Sequence, residues 1–220
     1  MAGLVFAQSV NKKGLSDATG AFLPGALAFS SRYGCPLVRL DDNDDKAKVF
    51  DGIALASTLD VVAYFGHGTT DGLSSADVCA TDTGALATAI SKSATSGCRI
   101  VLYACSVGVR GGFAETLAGL VGNGSVVYGH TTIGHSYCNP NVTYYPNSGD
   151  QDAPFLIGRQ NPRWRVWVQR MRDTDLWMRF PFMSKQEIEA ELAPKKEQGG
   201  QPSPVGTAFS SLDRSQQRRA

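Results

Sequence analysis

The sequence predicts an α/β protein: a mainly parallel sheet covered by helices on both faces, a three-layer sandwich. Three observations carry that prediction. Strand-length apolar runs alternate with helix-length segments from Gly3 to Gly129. The first run, Gly3 to Ser9, is apolar with little alternation, as a strand buried on both faces is. Successive runs are joined through segments long enough to hold one helix, which parallel neighbours need and hairpins do not.

Taken in order, Gly3 to Ser9 is the first strand. Ser16-Asp-Ala-Thr opens a helix with a capping serine that runs to about Tyr33, and Pro24-Gly25 should kink it. Pro36 to Leu40 is a short second strand. The acidic run Asp41 to Asp45 precedes a helix to about Leu59, where negative charge suits the positive N-terminal end. As a calcium loop that run fails, because it lacks the glycine and the later glutamate. Asp60-Val-Val-Ala-Tyr-Phe-Gly66 is the third strand, followed by a flexible loop from Gly68 to Ser75. Asp82 or Thr83 caps a helix over Gly84 to Ala94. Arg99 to Ala104 is the fourth strand. A glycine-rich turn, Val107 to Gly112, leads into a helix from Phe113 to Val121, and Ser125 to Gly129 is the fifth strand.

Beyond His130 the pattern dissolves into Thr131 to Asp152, rich in Asn, Pro, Ser, Gly and Tyr; such long irregular segments are usually functional or mobile. Pro154 to Ile157 reads as a further strand. Trp164 to Met171 and Leu176 to Phe182 flank Asp173-Thr-Asp and read as a β-hairpin. Ser184-Lys-Gln-Glu opens a last helix to Leu192 through a capping box. The composition from Pro194 onward predicts a disordered tail. The expected organisation is one domain over 1–160, a hairpin-and-helix extension over 161–193, and the tail over 194–220.

The 220 residues suffice for one well-buried domain, and 42% apolar content with a net charge of +1 is ordinary for a globular protein. That charge gives no electrostatic case for nucleic acid or a membrane surface as partner. No run reaches the length of about 18 apolar residues that a spanning helix needs. Met1 to Gln8 has no basic region ahead of its apolar run and reads as a strand, not a signal peptide. The five cysteines form no C-x-x-C pair, so neither a zinc site nor a disulfide framework is implied. A reducing, cytoplasmic setting is expected, in a bacterium or a virus-infected host.

The chemistry concentrates at two strand ends. The third strand runs into His67-Gly68 and the fourth into Cys105-Ser106. Residues just past the carboxyl ends of adjacent parallel strands share the crevice where open α/β sheets bind ligands. A histidine and a cysteine there read as base and nucleophile. A thiolate close to the helix that opens at Phe113 would feel its partial positive charge. The backbone N–H groups of Gly68 and Cys105 are oxyanion-hole candidates. The chemistry is acyl transfer through a thioester, that is, amide hydrolysis. His130 competes for the base role, and a lone histidine or buried cysteine is more often structural than catalytic. Cys79 and Cys98 read as buried thiols.

Val61-Val-Ala-Tyr-Phe-Gly-His67-Gly68 followed by Ile100-Val-Leu-Tyr-Ala-Cys105 resembles the caspase-like cysteine peptidases. The order is the same, and Cys105 follows His67 by 38 residues, a similar separation. Leu102 to Gly108 with Phe113-Ala-Glu-Thr-Leu-Ala is most similar to the bacterial CHAT-like branch. The resemblance covers about Gly3 to His130 and implies His67 as general acid–base, Cys105 as nucleophile and Gly68 as an oxyanion donor. It also implies that Tyr103, two before the cysteine, lines the pocket for the substrate side chain. Ser9, Asn11, His130, Thr131 and Thr132 are further pocket candidates, and Asp150 and Asp152 would favour a basic side chain there. The expected function is a cysteine endopeptidase that processes one protein partner or itself. The alternative is a catalytically silent module of the same fold that binds a protein. A glutamine-amidotransferase-like enzyme is a third reading, disfavoured by the histidine preceding the cysteine. No metal or organic cofactor is implied, although relatives include calcium-activated enzymes. Aromatics and arginines interleaved over 163–182 raise nucleic-acid binding, but an amphipathic hairpin packed on the sheet, or docking a protein partner, fits the charge balance better.

Overall fold

The computed structural model describes residues 1–9, 17, 20–41, 45–134, 137–147 and 160–193. Five strands run parallel: β1 (Gly3–Gln8), β2 (Leu37–Leu40), β3 (Leu59–Phe65), β6 (Ala94–Tyr103) and β7 (Val126–His130). A sixth, β8 (Val142–Pro146), joins β7 antiparallel, and the order across the sheet is β2-β1-β3-β6-β7-β8. The protein is therefore α/β with a mainly parallel sheet. The chain steps from β1 outward to β2 and then returns to β3 on the other side of β1. Strand order thus reverses between β1 and β3, the position where such sheets open a crevice at their carboxyl ends.

Successive side chains of a buried strand serve opposite layers. Val62 and Tyr64 of β3 pack toward α2 (Asp45–Leu55), α3 (Thr83–Ser93) and α4 (Phe113–Leu120), with Ile53, Ile90 and Leu117 buried among them. Val61, Ala63 and Phe65 face α1 (Phe22–Tyr33) and the C-terminal helices. Pro24 does not kink α1. It sits in the first turn, where its missing N–H is one the helix could not have paired anyway.

Two further expectations are corrected. Residues 164–182 are not a hairpin but helices α5 (Trp164–Asp173) and α6 (Leu176–Arg179) and a 3-10 turn, Phe180–Phe182. Trp164, Trp167 and Met171 recur at helical spacing; Trp167 and Met171 are buried, while Arg165, Gln169 and Arg172 face outward. The Trp167 indole N–H donates to the Pro140 carbonyl (2.8 Å). The segment packs on the sheet, as its amphipathic pattern predicts: Trp167, Leu176, Trp177 and Phe180 share one apolar core with Val5, Phe29 and Phe65. Lastly, the stretch after Gly68 is structured: β4 (Gly72–Leu73) pairs antiparallel with β5 (Val78–Cys79) around a 3-10 turn at Ser74–Ala76.

The capping box at Ser184 is present, with Ser184 Oγ accepting from the Glu187 N–H, and it opens α7 (Lys185–Leu192). Among the described residues no helix is long and apolar enough to cross a membrane. The anticipated capping at Ser16, the strand at Pro154 to Ile157 and the tail from Pro194 lie outside the described residues, as do Asn11, Asp150 and Asp152.

Candidate active site

Register places His67 and Cys105 just past the ends of neighbouring strands. Phe65 of β3 pairs with Tyr103 of β6, so each reactive residue stands two positions beyond a paired residue. They leave parallel strands that start about 4.8 Å apart. The Gly66 N–H still donates to the Tyr103 carbonyl (3.4 Å) at the tip.

The glycines flanking His67 are steric requirements. A Cβ on Gly68 would stand 2.7 Å from Val107 Cγ1 and 2.8 Å from Ala104 Cβ. A Cβ on Gly66 would stand 2.6 Å from Tyr64 Oη and 2.7 Å from Ser75 Oγ. The His67 peptide is bonded on both sides: its N–H donates to Ser75 Oγ (2.7 Å) and its carbonyl accepts from Tyr64 Oη (2.7 Å). Its ring meets the edge of Phe22, at the start of α1, with centroids 5.0 Å apart. The crevice between β1 and β3 is thus walled by a helix that follows β1. Ser9, half-buried, ends β1 beside it, and its N–H donates to Leu40 O (2.9 Å).

Cys105 is buried at 8% exposure. Among the described residues both contacts of its sulfur are with one residue: Gly134 N–H donates to Sγ (3.3 Å) and the thiol lies 3.4 Å from Gly134 O. Ser106, next in the chain, has φ +57, the left-handed region that a non-glycine residue adopts rarely and chiefly at functional turns. Its N–H donates to Thr132 O (3.2 Å), and Gly108 N–H donates to His130 O (2.8 Å). These bonds lace the turn after β6 to the turn after β7. Thr131 and Thr132 therefore lie half-buried beside Cys105, and Gly134, which the sequence did not single out, lies closest. Its only signal was its place in the irregular segment.

The start of α4 does not serve the sulfur. Phe113 N–H donates to Thr70 O (2.8 Å) and Ala114 N–H to Val107 O (2.9 Å), so those donors are used by protein carbonyls. The backbone N–H groups of Gly68 and Cys105, by contrast, have no acceptor among the described residues.

Tyr103 does not line an open pocket. It is buried, stacked on Phe65 at 4.4 Å, and its hydroxyl donates to Trp177 O (2.9 Å). The C-terminal segment, expected to pack on the sheet as a hairpin, covers it as helices. His130 is 2% exposed and meets Tyr103 edge-on at 5.9 Å. Neither ring nitrogen has a partner among the described residues, and burial pushes its pKa from 6.5 down to about 4. It is a core histidine whose charged form burial disfavours, and it is not an exposed pocket residue. Cys98 is buried as expected, whereas Cys79 is exposed and its thiol donates to Asp82 (3.1 Å). Among the described residues no three His, Cys, Asp or Glu side chains are grouped to hold a metal ion.

Comparison with protein-family models, with curated proteins and with solved structures found no match to this chain.

Proposed function

We propose that this protein is a cysteine endopeptidase of caspase-like architecture, using a Cys105/His67 dyad on one protein partner or on itself. The observation that carries the reading is the shared register: both residues stand two positions past the Phe65–Tyr103 pair, at the ends of adjacent parallel strands. In the proposed reaction Sγ of Cys105 attacks the scissile carbonyl carbon and a C–S bond forms. The thiol proton passes through His67 to the leaving amine as the C–N bond breaks. Water, deprotonated by His67, then hydrolyses the thioester and frees the sulfur. The N–H groups of Gly68 and Cys105 would hold the oxyanion in both halves.

A second reading, a silent module that binds a protein partner, draws on the closed thiol and the covered Tyr103. Labelling with peptidyl acyloxymethyl ketones separates the two. The peptidase reading expects labelling that vanishes in Cys105→Ala and falls sharply in His67→Ala. Labelling absent from wild type, or indifferent to His67, would sink it and leave the binding module.

A further inference from the structure

We propose that Ser75, Tyr64 and Gln8 are positioning residues for His67, a clamp that sets its ring by holding its peptide group; this rests on the peptidase reading for its consequence, though not for its geometry. One set of bond directions satisfies every group of the ring. Tyr64 has one hydroxyl proton, which goes to His67 O (2.7 Å), so its lone pair receives the Ser75 N–H (3.0 Å). Ser75 has one hydroxyl proton, which goes to Gln8 Oε1 in a short bond, so its lone pair receives the His67 N–H (2.7 Å). The Ser75 N–H also lies 3.4 Å from His67 O.

Three elements meet in this ring: Gln8 from the end of β1, Tyr64 from β3, and Ser75 from the 3-10 turn after β4. All three are inside the protein, with Gln8 and Ser75 at 0% exposure and Tyr64 at 2%. A buried, fully satisfied network of this kind specifies one geometry, because any rotation leaves a buried donor or acceptor unpaired. Replacing the Ser75 hydroxyl by a methyl, or Tyr64 by a phenyl ring, would take a partner from the His67 N–H or carbonyl inside the protein. What the polar set adds is a fixed His67 backbone at a strand tip, where the chain would otherwise be free to splay. The bare Cα of Gly66 admits the network beneath the peptide. A displacement of about 1 Å in a reacting group is enough to cost on the order of 100-fold in rate.

The test uses the full chain, with Ser75→Ala and Tyr64→Phe, and with thermal melts to verify folding. The first readout is the His67 ring signal in a histidine-selective NMR spectrum, assigned by its loss in His67→Ala. In wild type the Phe22 edge should displace that signal from the position of a solvent-exposed histidine. Both variants are expected to move it toward that position. The second readout is the labelling rate with the acyloxymethyl-ketone set. The maximal rate should fall about 10- to 100-fold with probe affinity little changed. Against a His67→Ala background neither substitution should lower the rate further, since they act through His67. An unmoved His67 signal in the folded variants, or a rate loss that persists without His67, would overturn the clamp. Tyr64→Phe keeps the ring volume and carries the same test should Ser75→Ala not fold. Wild-type labelling indifferent to His67 would remove the peptidase reading alone, and the ring signal would still decide the clamp.

Discussion

His130→Leu is expected to spare the protein an acid-dependent loss of stability that the wild type suffers. In the folded state the imidazole titrates near 4 because burial disfavours its charged form, whereas in the unfolded chain it titrates near 6.5. Below pH 6.5 the unfolded chain therefore binds a proton that the folded protein refuses, and stability falls as the pH drops. The linkage relation gives a loss of about 2 kcal/mol at pH 5 and about 3 kcal/mol at pH 4, from the shift of 6.5 to about 4. Above pH 7 the contribution is nearly constant. Carboxylates held low in the fold, such as Asp60 and Asp82, also lose stabilisation in acid, but they do so in both proteins and cancel in the difference. The assay is urea unfolding of both proteins at pH 7 and pH 5. Leucine also removes two buried unpaired nitrogens, so His130→Leu should be at least as stable as wild type at pH 7. The stability gap should then widen by about 2 kcal/mol at pH 5. A gap that does not change with pH would refute a buried, unpartnered, neutral His130.

Timed alkylation with mass spectrometry should rank the thiols by exposure: Cys79 first, Cys138 next, Cys105 slower, and Cys35 and Cys98 last; early modification of Cys98 would contradict the core. Asn139→Ala should speed alkylation of Cys105 several-fold, because the Asn139 amide donates to Thr132 Oγ1 (3.1 Å) and its carbonyl accepts from Asn141 N–H (3.0 Å), tying down the turn that covers the sulfur. An unchanged rate would show that other bonds hold the turn. Gly68→Ala should cost about 1–3 kcal/mol by overpacking against Val107 and Ala104, read as a lower melting midpoint; an unshifted midpoint would mean the strand tips yield freely.

The sheet was legible because its strands are long apolar runs and its crossovers each hold one helix, features set by local composition. β3 and the carboxyl end of β6 followed directly, since a strand ends where its apolar run does, whereas the start of β6 at Ala94, ahead of the expected Arg99, lies in a polar stretch. β8 was not legible: Val142-Thr-Tyr-Tyr-Pro has no apolar run and sits among Asn, Pro and Gly, and its pairing with β7 is tertiary. The C-terminal segment misled through a coincidence of periods. Trp164-Arg-Val-Trp-Val-Gln-Arg-Met alternates well enough for a strand while also placing Trp164, Trp167 and Met171 on one helical stripe. Length should have decided it, because ten residues without a glycine or proline suit a helix better than a solvent-facing strand. Ser75 and Gly134 were unreadable for a different reason. Their roles depend on which loop returns to the strand tip, and no local pattern encodes that.

The two halves of the site are held by unlike means. His67 is fixed by side chains of the rigid layers, from β1 and β3 and from a turn whose serine is wholly buried. Among the described residues the Cys105 sulfur bonds to the backbone of Gly134, in the segment after β7 that the Ser106–Thr132 bond and the Asn139 contacts hold. Opening the stretch at 131–134 would break few hydrogen bonds, and Ile133 within it is 83% exposed, whereas Tyr137 further along packs against Trp177. Local openings of this type lie at the low end of a protein's stability range. Displacing His67 would instead break a buried network shared by three elements. On the proposed peptidase reading, a substrate that reaches this crevice should therefore move the segment over the cysteine and leave the histidine where the fold has set it.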